Sequence, residues 1–264
     1  MTAPPVSFAC FLGQRRQPLK NVYIPAPSLV RVDRGCKQLL WRGQSVEISG
    51  HHWLAVPGNQ HFTFVNQPDD SGFQSRVFSF NANPPVEWLT SVPEISRPPR
   101  IRASVALEFA FELLAQSLDS GLSPTAQFHL VQALFAELRE IGALALLFPG
   151  AELSWCDRVA RYLAANPGDD HTLDSVSRDL LLSRATLNRR LAAEGSSFRR
   201  ILTDVRMGYG LGLLQQGYSV LETALACGYQ SESRFAGRFR QQLGISPAQY
   251  RQTLVQDEIQ VMVG

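Results

Sequence analysis

The spacing of apolar residues changes once along the chain, near residue 100. Up to residue 83, short apolar or alternating runs are separated by Gly, Pro, Asn and Asp, as in antiparallel strands joined by turns. After Arg100, apolar residues recur at helical spacing. Prolines at 84, 85, 93, 98 and 99 disfavour regular structure between the two parts. A chain of 264 residues has room for one large domain or two of ordinary size. The change from strand-like to helical spacing predicts an α+β protein.

The first predicted unit covers residues 1–98 and is a small β-barrel or sandwich. Its predicted strands lie at residues 7–12, 29–33, 37–42, 44–48, 52–56, 61–65 and 76–80. A second unit, residues 99–150, is predicted to form a helical linker from two amphipathic helices, at 103–118 and 124–148. The apolar stripe of the first helix is marked by Val105, Phe109 and Leu113. Two interpretations stay open: both stripes pack on the β unit, or one of them is a dimerisation face.

The third unit, residues 151–264, carries two similar helix-turn-helix patterns. In the first, Ser183 is a natural N-cap for a helix whose Leu187 and Leu191 face inward. About 48 residues later, Gly228 ends one helix and Ser231 caps the next. Between the patterns, residues 198–216 are predicted to form a connecting helix roughly 30 Å long. That length is close to the roughly 34 Å between successive major-groove faces of B-DNA.

The outward side chains of the two predicted recognition helices suit DNA. They are Arg184, Ala185, Asn188 and Arg189 in the first helix and Glu232, Ser233, Arg234, Gly237 and Arg238 in the second. Arginine and asparagine bond guanine, adenine and phosphate. Ten arginines and four acidic residues lie between positions 184 and 251, although the whole chain has a net charge of only +2. We therefore predict that this segment contacts duplex DNA.

Three consecutive motifs in this unit resemble the AraC/XylS family of bacterial transcription regulators. They read Arg206-Met-x-x-Gly210-x-x-Leu213-Leu214, Val220-x-x-x-Ala224-x-x-Cys227-Gly228-Tyr229-x-Ser231-x-Ser233-x-Phe235-x-x-x-Phe239-Arg240 and Gly244-Ile-Ser-Pro247-x-x-Tyr250-Arg251. The resemblance covers about residues 153–251 and implies an all-α DNA-binding domain with two helix-turn-helix units. It also implies promoter DNA and RNA polymerase as partners, activation of transcription, and a cupin-like N-terminal barrel that binds a small-molecule effector or a partner. A homodimer is the expected assembly if the linker helices form a dimerisation face.

The second recognition helix departs from the family pattern. An arginine usually stands where this chain has Gly237, and Glu232 on the same face would repel phosphate. Our hypothesis is that the first helix, with Arg184, Asn188 and Arg189, supplies most of the base discrimination. In the second helix, Arg234 and Arg238 are expected mainly to contact the DNA backbone.

The connecting helix contains three glycines, at positions 208, 210 and 212. Each costs about 1 kcal/mol relative to alanine in a helix interior. Either Gly210 permits close helix packing or the connector bends.

Aromatic residues of the β unit are candidates for an effector pocket. The predicted lining comprises Trp41, Trp53, His61, Phe64 and Phe80. The alternative is a barrel filled by its own side chains.

No metal, cofactor or catalytic site is expected. The adjacent His51 and His52 would point to opposite faces of a strand and cannot share one ion. The four cysteines form no metal-binding pair and are expected to be ordinary thiols. A cupin-type metal-dependent enzyme and a helical protein-interaction module remain the alternatives to a DNA-binding regulator. The sequence shows neither a membrane span nor a targeting pattern, which predicts a cytoplasmic protein.

Overall fold

The computed structural model describes residues 4–89, 97–150 and 153–254. Within those ranges the first hundred residues form strands and the rest is helical. The strands are β1 (Val6–Gly13), β2 (Gln17–Ile24), β3 (Ser28–Arg34), β4 (Cys36–Trp41), β5 (Gln44–Ile48), β6 (His52–Val56), β7 (Gln60–Gln67), β8 (Phe73–Phe80) and β9 (Arg100–Arg102). The helices are α1 (Val105–Asp119), α2 (Pro124–Glu140), α3 (Leu144–Leu147), α4 (Trp155–Ala165), α5 (Leu173–Asp179), α6 (Arg184–Ala193), α7 (Phe198–Gln215), α8 (Val220–Ala226), α9 (Glu232–Leu243) and α10 (Pro247–Gln252). Among the helices so described, none is long and apolar enough to cross a membrane.

The strands are divided between two antiparallel sheets. One has five strands in the order β1-β8-β3-β6-β9, and the other has four in the order β2-β7-β4-β5. The predicted cupin-like β-barrel is therefore not closed among the described strands. Along the described chain, no strand pairing joins the two sheets, so their inner faces pack as a sandwich instead.

Strand β2 was missed in the sequence because its apolar residues do not alternate. Its pairing with β7 shifts register between Leu19 and Val22, where Asn21 has a φ of 47°. This bulge adds a residue, so Leu19 and Val22 are both buried although they are three positions apart. Strand β9 was also missed, since three residues are too few to show a period.

The outer face of the five-stranded sheet packs against α1 and α2. Trp53 and Phe78 from the sheet contact Phe111 of α1, at ring-centroid distances of 5.0 and 4.6 Å. The helix expected over 124–148 is interrupted at Gly142, whose φ of 67° ends α2 before α3 begins.

Helix α1 has apolar residues on two sides, and the buried side is not the one marked in the sequence. The stripe that packs on the sheet comprises Leu107, Phe111 and Leu114. In contrast, the predicted stripe lies in solvent, with Val105 86% exposed, Phe109 70% and Leu113 42%. Both rows have helical spacing, so periodicity alone does not distinguish them.

Ion pairs hold α1 on the sheet. The Arg76 guanidinium donates to Asp33 Oδ2 at 2.8 Å and to Glu112 Oε1 at 2.7 Å. These hydrogen bonds from Arg76 outweigh partial burial and lower the pKa of the Glu112 carboxyl.

Strand β2 also docks the sandwich onto the C-terminal helices. Leu19 and Val22 belong to the same apolar core as Met207 and Leu211 of α7. At the end of α10, the carbonyl oxygen of Thr253 accepts hydrogen bonds from the backbone N–H groups of residues 14 and 15, at 2.7 and 3.1 Å. Both parts of the chain therefore share one continuous interface.

Candidate nucleic-acid interface and ligand cavity

Helices α5 and α6 form the first helix pair. Ser183 caps α6, and its Oγ accepts from the Thr186 N–H at 3.2 Å. Leu187 and Leu191 are fully buried, as predicted. The opposite face of α6 is exposed, and it presents Arg184, Ala185, Asn188 and Arg189.

Helices α8 and α9 form the second pair with the same construction. Gly228, at a φ of 74°, follows the end of α8, and Ser231 caps α9 through the Arg234 N–H at 3.4 Å. Phe235 and Phe239 are fully buried. The exposed face of α9 presents Glu232, Ser233, Arg234, Gly237 and Arg238.

The charged side chains of α6 differ in how they are held. Arg184 pairs with Asp174 of α5, with Nε and Oδ1 3.0 Å apart, and both side chains are exposed. Arg190 lies over the Trp155 ring, 4.1 Å from its centroid, and so packs against α4. Within residues 153–254 no ion pair is found for Arg189. Its charge is therefore available to a nucleic acid.

Two exposed arginines of α9 have neutral partners. Arg234 donates to Gln230 Oε1 at 3.1 Å, and Arg238 donates to Gln241 Oε1 at 3.0 Å. These bonds orient the guanidinium groups without compensating their charge. Glu232 lies at the first turn of the same helix, where a carboxylate interacts favourably with the helix dipole.

Helix α7 connects the pairs as one continuous helix of 18 residues, which is about 27 Å long. A Cβ on Gly210 would lie 2.9 Å from the Phe235 ring and 3.2 Å from the Cys227 sulfur. Gly210 therefore permits close packing of α7 against α8 and α9, which decides between the two interpretations given above.

The two helix pairs are also held together by a loop. The Arg206 side chain on α7 donates to the carbonyl oxygens of Pro167 and Asp169, at 3.0 and 2.8 Å. A Cβ on Gly168 would lie only 2.3 Å from the Ala226 oxygen at the end of α8. The loop before α5 thus fits tightly against the second pair.

Glu194 ties the end of α6 to the start of α4. Its carboxylate accepts from the N–H groups of Trp155 and Cys156, at 2.8 and 2.7 Å. Partial burial raises the pKa of Glu194, but the N–H groups of Cys156 and Trp155 outweigh it and lower the pKa overall. Sequence reasoning missed this role, because Glu194 and Trp155 are far apart in the chain.

A cavity of about 350 Å³ lies between the two sheets, and α7 forms part of its wall. Its lining is largely apolar. Side chains of both sheets contribute to it, including Val30, Leu54, Val56, Phe62, Phe64 and Val77. The wall formed by α7 includes Val205, Gly208, Leu211 and Gly212. A space of this size and polarity suits a small amphipathic molecule.

Lys37 is the one basic side chain in the described lining of this cavity. Burial lowers the pKa of its amine to about 7. The Nζ atom donates to Asn66 Oδ1 and lies 3.7 Å from the centroid of the Phe64 ring. No carboxylate pairs with Lys37 among the described residues. A buried amine without an acidic partner would be stabilised by the acidic group of a ligand.

The residues predicted to line a pocket are spread over several environments. Phe64 lines the cavity. Trp41 stacks on Phe62, with centroids 6.4 Å apart, behind the lining. Trp53 and Phe80 face the other side of their sheet and pack with α1 and α2. Neighbouring residues on a strand face opposite sides, so Leu54 rather than Trp53 reaches the cavity.

His61 contacts helix α7 instead of the cavity. Its Nε2 lies 3.0 Å from Asp204 Oδ2 on α7, and Gln242 donates to the other oxygen of Asp204 at 2.7 Å. His51 contacts Glu108 of α1 at 2.6 Å. In the part of the chain that the structure describes, no three His, Cys, Asp or Glu side chains form a group that would hold a metal ion.

Comparison with known proteins agrees with this arrangement. A sequence profile for a helix-turn-helix domain family matches residues 176–253. The urease operon transcriptional activator of Escherichia coli is 25% identical over 93% of this chain and 90% of its own length. The transcriptional regulator GadX of Escherichia coli K12 is 33% identical over 38% of this chain and 36% of its own length.

Solved structures of ToxT from Vibrio cholerae share the fold over nearly the whole chain. ToxT bound to (E)-4-(8-methylnaphthalen-1-yl)but-3-enoic acid aligns with a TM-score of 0.66 at 14% identity, covering 95% of this chain and 100% of ToxT. ToxT bound to an unsaturated fatty acid aligns with a TM-score of 0.60 at 14% identity, covering 97% and 98%. The matched profile and the relative that aligns over almost its full length show that the chain carries a helix-turn-helix domain at residues 176–253 and is similar to bacterial transcription regulators, in agreement with the three motifs.

Proposed function

We propose that this protein is a sequence-specific DNA-binding regulator that activates promoters and responds to a small molecule bound between its sheets. The observation that carries the proposal is the pair of capped helices, α6 and α9, which expose arginine and asparagine side chains on a single connected scaffold. Residues 1–98 would be the regulatory unit, 99–150 the linker and 151–264 the DNA-binding unit. RNA polymerase is the proposed protein partner at the promoter. No observation on the described residues favours the cupin-type enzyme or the interaction module.

The proposed binding mode places α6 and α9 in successive major grooves. Helix α7 is about 27 Å long, and one turn of B-DNA is roughly 34 Å. These lengths are similar enough for α7 to present α6 and α9 to successive major grooves on one face of the duplex. Asn188 and Arg189 would read base edges, and Arg234 and Arg238 would contact phosphates. Ala185, Ser233 and Gly237 are small, which allows a close approach to the groove.

Genome-wide pull-down of DNA bound to the protein tests this function. We expect a limited set of promoter sites to be enriched, with one shared sequence pattern. Binding to such a site should weaken steeply with salt, with a slope of about −0.9 per neutralised phosphate on logarithmic axes. Failure to enrich any site, or affinity that does not depend on sequence, would contradict the proposal.

The proposed effector has an apolar body and an acidic group, which would lie against Lys37. The acids bound in the ToxT structures have this chemistry. Titration calorimetry with the naphthyl butenoic acid should show binding to the wild-type protein and at least tenfold weaker binding to Lys37→Met. Lys20→Met is the matched control, because Lys20 is exposed and lies outside the cavity lining. Equal binding by Lys37→Met would remove Lys37 from the site.

The proposed assembly is a homodimer that buries the exposed stripe of α1. Val105 and Phe109 are the two most exposed large apolar residues of α1 and α2. We expect Phe109→Glu to raise the dimer dissociation constant at least tenfold in analytical ultracentrifugation, since a charge would be buried at the contact. Val86→Glu, at an exposed valine outside α1, should leave the assembly unchanged. A wild-type protein that sediments as a monomer at every concentration would exclude the dimer.

A further inference from the structure

A row of buried hydrogen bonds runs from the cavity to the end of the DNA-binding unit. Lys37 Nζ donates to Asn66 Oδ1, and Asn66 Nδ2 donates to Gln17 Oε1 at 2.8 Å. Gln17 Nε2 then donates to Thr253 Oγ1 at 2.9 Å. Lys37, Asn66 and Gln17 belong to three neighbouring strands, whereas Thr253 follows α10. All four residues are buried, so water does not compete for these bonds.

The direction of every bond in this row is determined at its two ends. When Lys37 is charged, its ammonium group only donates, so the Asn66 oxygen then faces Lys37 and the Asn66 nitrogen faces Gln17. At the other end, Gln17 Nε2 also donates to the Leu12 carbonyl oxygen at 3.0 Å, and the Thr253 hydroxyl donates to the Tyr250 carbonyl oxygen at 2.6 Å. Reversing the amides would place Gln17 Oε1 against the Leu12 oxygen and would draw the Thr253 hydroxyl away from Tyr250. Such a reversal leaves buried polar atoms unpaired, which is unfavourable.

We propose that this row of bonds couples the occupant of the cavity to the seating of the DNA-binding unit, by which we mean the contact of Thr253 with the β-sandwich. Gln17 is the positioning residue between the two. The coupling to a ligand rests on the effector site proposed above. An acidic ligand at Lys37 would keep the lysine as a donor-only ammonium and would stabilise the one bond direction that seats Thr253. A neutral amine also accepts hydrogen bonds, so without a ligand the amides are less strongly directed. Because coupling is reciprocal, seating of Thr253 also favours binding of the acid.

The backbone N–H groups of Gln14 and Arg15 donate to the carbonyl oxygen of Thr253, so their hydrogen bonds form only when Thr253 is seated. Amide hydrogen exchange of the full-length protein, resolved at these two residues, therefore measures it. In the absence of ligand we expect at least tenfold faster exchange at both amides in Gln17→Met and in Lys37→Met. Gln242→Met is the matched control, because Gln242 bonds Asp204 near the same interface but lies outside the row. It should exchange like the wild type at Gln14 and Arg15.

A second experiment repeats the exchange measurement with the naphthyl butenoic acid added. In the wild type the acid should slow exchange at Gln14 and Arg15, whereas Gln17→Met should bind it without that protection. Where Gln17→Met does not fold, Thr253→Val removes the hydroxyl from the other end and should give the same acceleration. Unchanged exchange in the ligand-free variants would overturn the coupling. Failure of the wild type to bind the acid would overturn the proposed effector chemistry, and the ligand-free variants would still decide whether the row seats Thr253.

Discussion

Replacing Asn188 or Arg189 by alanine should reduce discrimination between the preferred DNA site and its single-base variants by about 1–3 kcal/mol, the contribution of one bidentate base contact. Both side chains are on the exposed face of α6, opposite the buried Leu187 and Leu191. Asn188→Ala should leave non-specific binding almost unchanged, since it removes no charge. Arg189→Ala should also reduce the salt dependence, because it removes a cation.

Selection of binding sites from a random DNA pool measures this effect directly. The preference at one or two base pairs should relax in the α6 variants and persist in Glu232→Ala and Ser233→Ala. Greater relaxation in the α9 variants would show that the second recognition helix carries the discrimination. Arg234→Ala and Arg238→Ala should weaken binding about equally at all sequences, because phosphate contacts carry no base information.

Gly210→Ala should lower the free energy of unfolding by about 1–3 kcal/mol, the usual cost of adding a methyl group to a packed core. The new Cβ would lie 2.9 Å from the fully buried Phe235 ring. The strain must exceed the gain of about 1 kcal/mol that alanine brings to a helix interior. DNA affinity should fall as well, because α9 would shift relative to α7.

Gly212→Ala provides the matched control within the same helix. A Cβ at this position meets nothing within 4 Å, so the variant should gain up to about 1 kcal/mol from helix propensity. Urea denaturation of both variants and the wild type checks the contrast. Equal stability of Gly210→Ala and Gly212→Ala would show that α7 moves freely enough to accommodate the methyl group.

The helical features that were predictable from the sequence are local ones. Ser183 and Ser231 cap their helices, and Gly228 adopts a left-handed conformation after α8. Each depends on side chains only a few positions away. The inward positions of Leu187 and Phe235 followed from the same short-range spacing.

Features that depend on distant partners were not predictable in this way. The bulge in β2 is recognisable only from its pairing with β7. Likewise, the choice between the two apolar stripes of α1 depends on which one meets the sheet. The pattern of strands also does not distinguish a closed barrel from two sheets, because closure depends on which edges pair.

The candidate cavity shows the same limit at the level of single residues. Aromatic residues were chosen for the predicted pocket, but a shift of one position along a strand changes the face, as Trp53 and Leu54 illustrate. Lys37 is one of only two lysines in the sequence, and its burial becomes evident only when both sheets are in place. The sequence does contain one signal of this burial, which is the position of Lys37 in a strand of alternating residues. The other lysine, Lys20, lies in β2 and is exposed.

Helix α7 both lines the cavity and spaces the two helix pairs, so a change in one of these features affects the other. Gly208, Leu211 and Gly212 touch the ligand space from the same helix that spaces the two recognition helices. A chimera that joined residues 1–150 to the C-terminal part of another regulator would therefore acquire a different cavity wall together with its new operator. Under the proposed function, inducer choice and promoter choice would depend partly on one helix, and simple exchange of halves would not separate them.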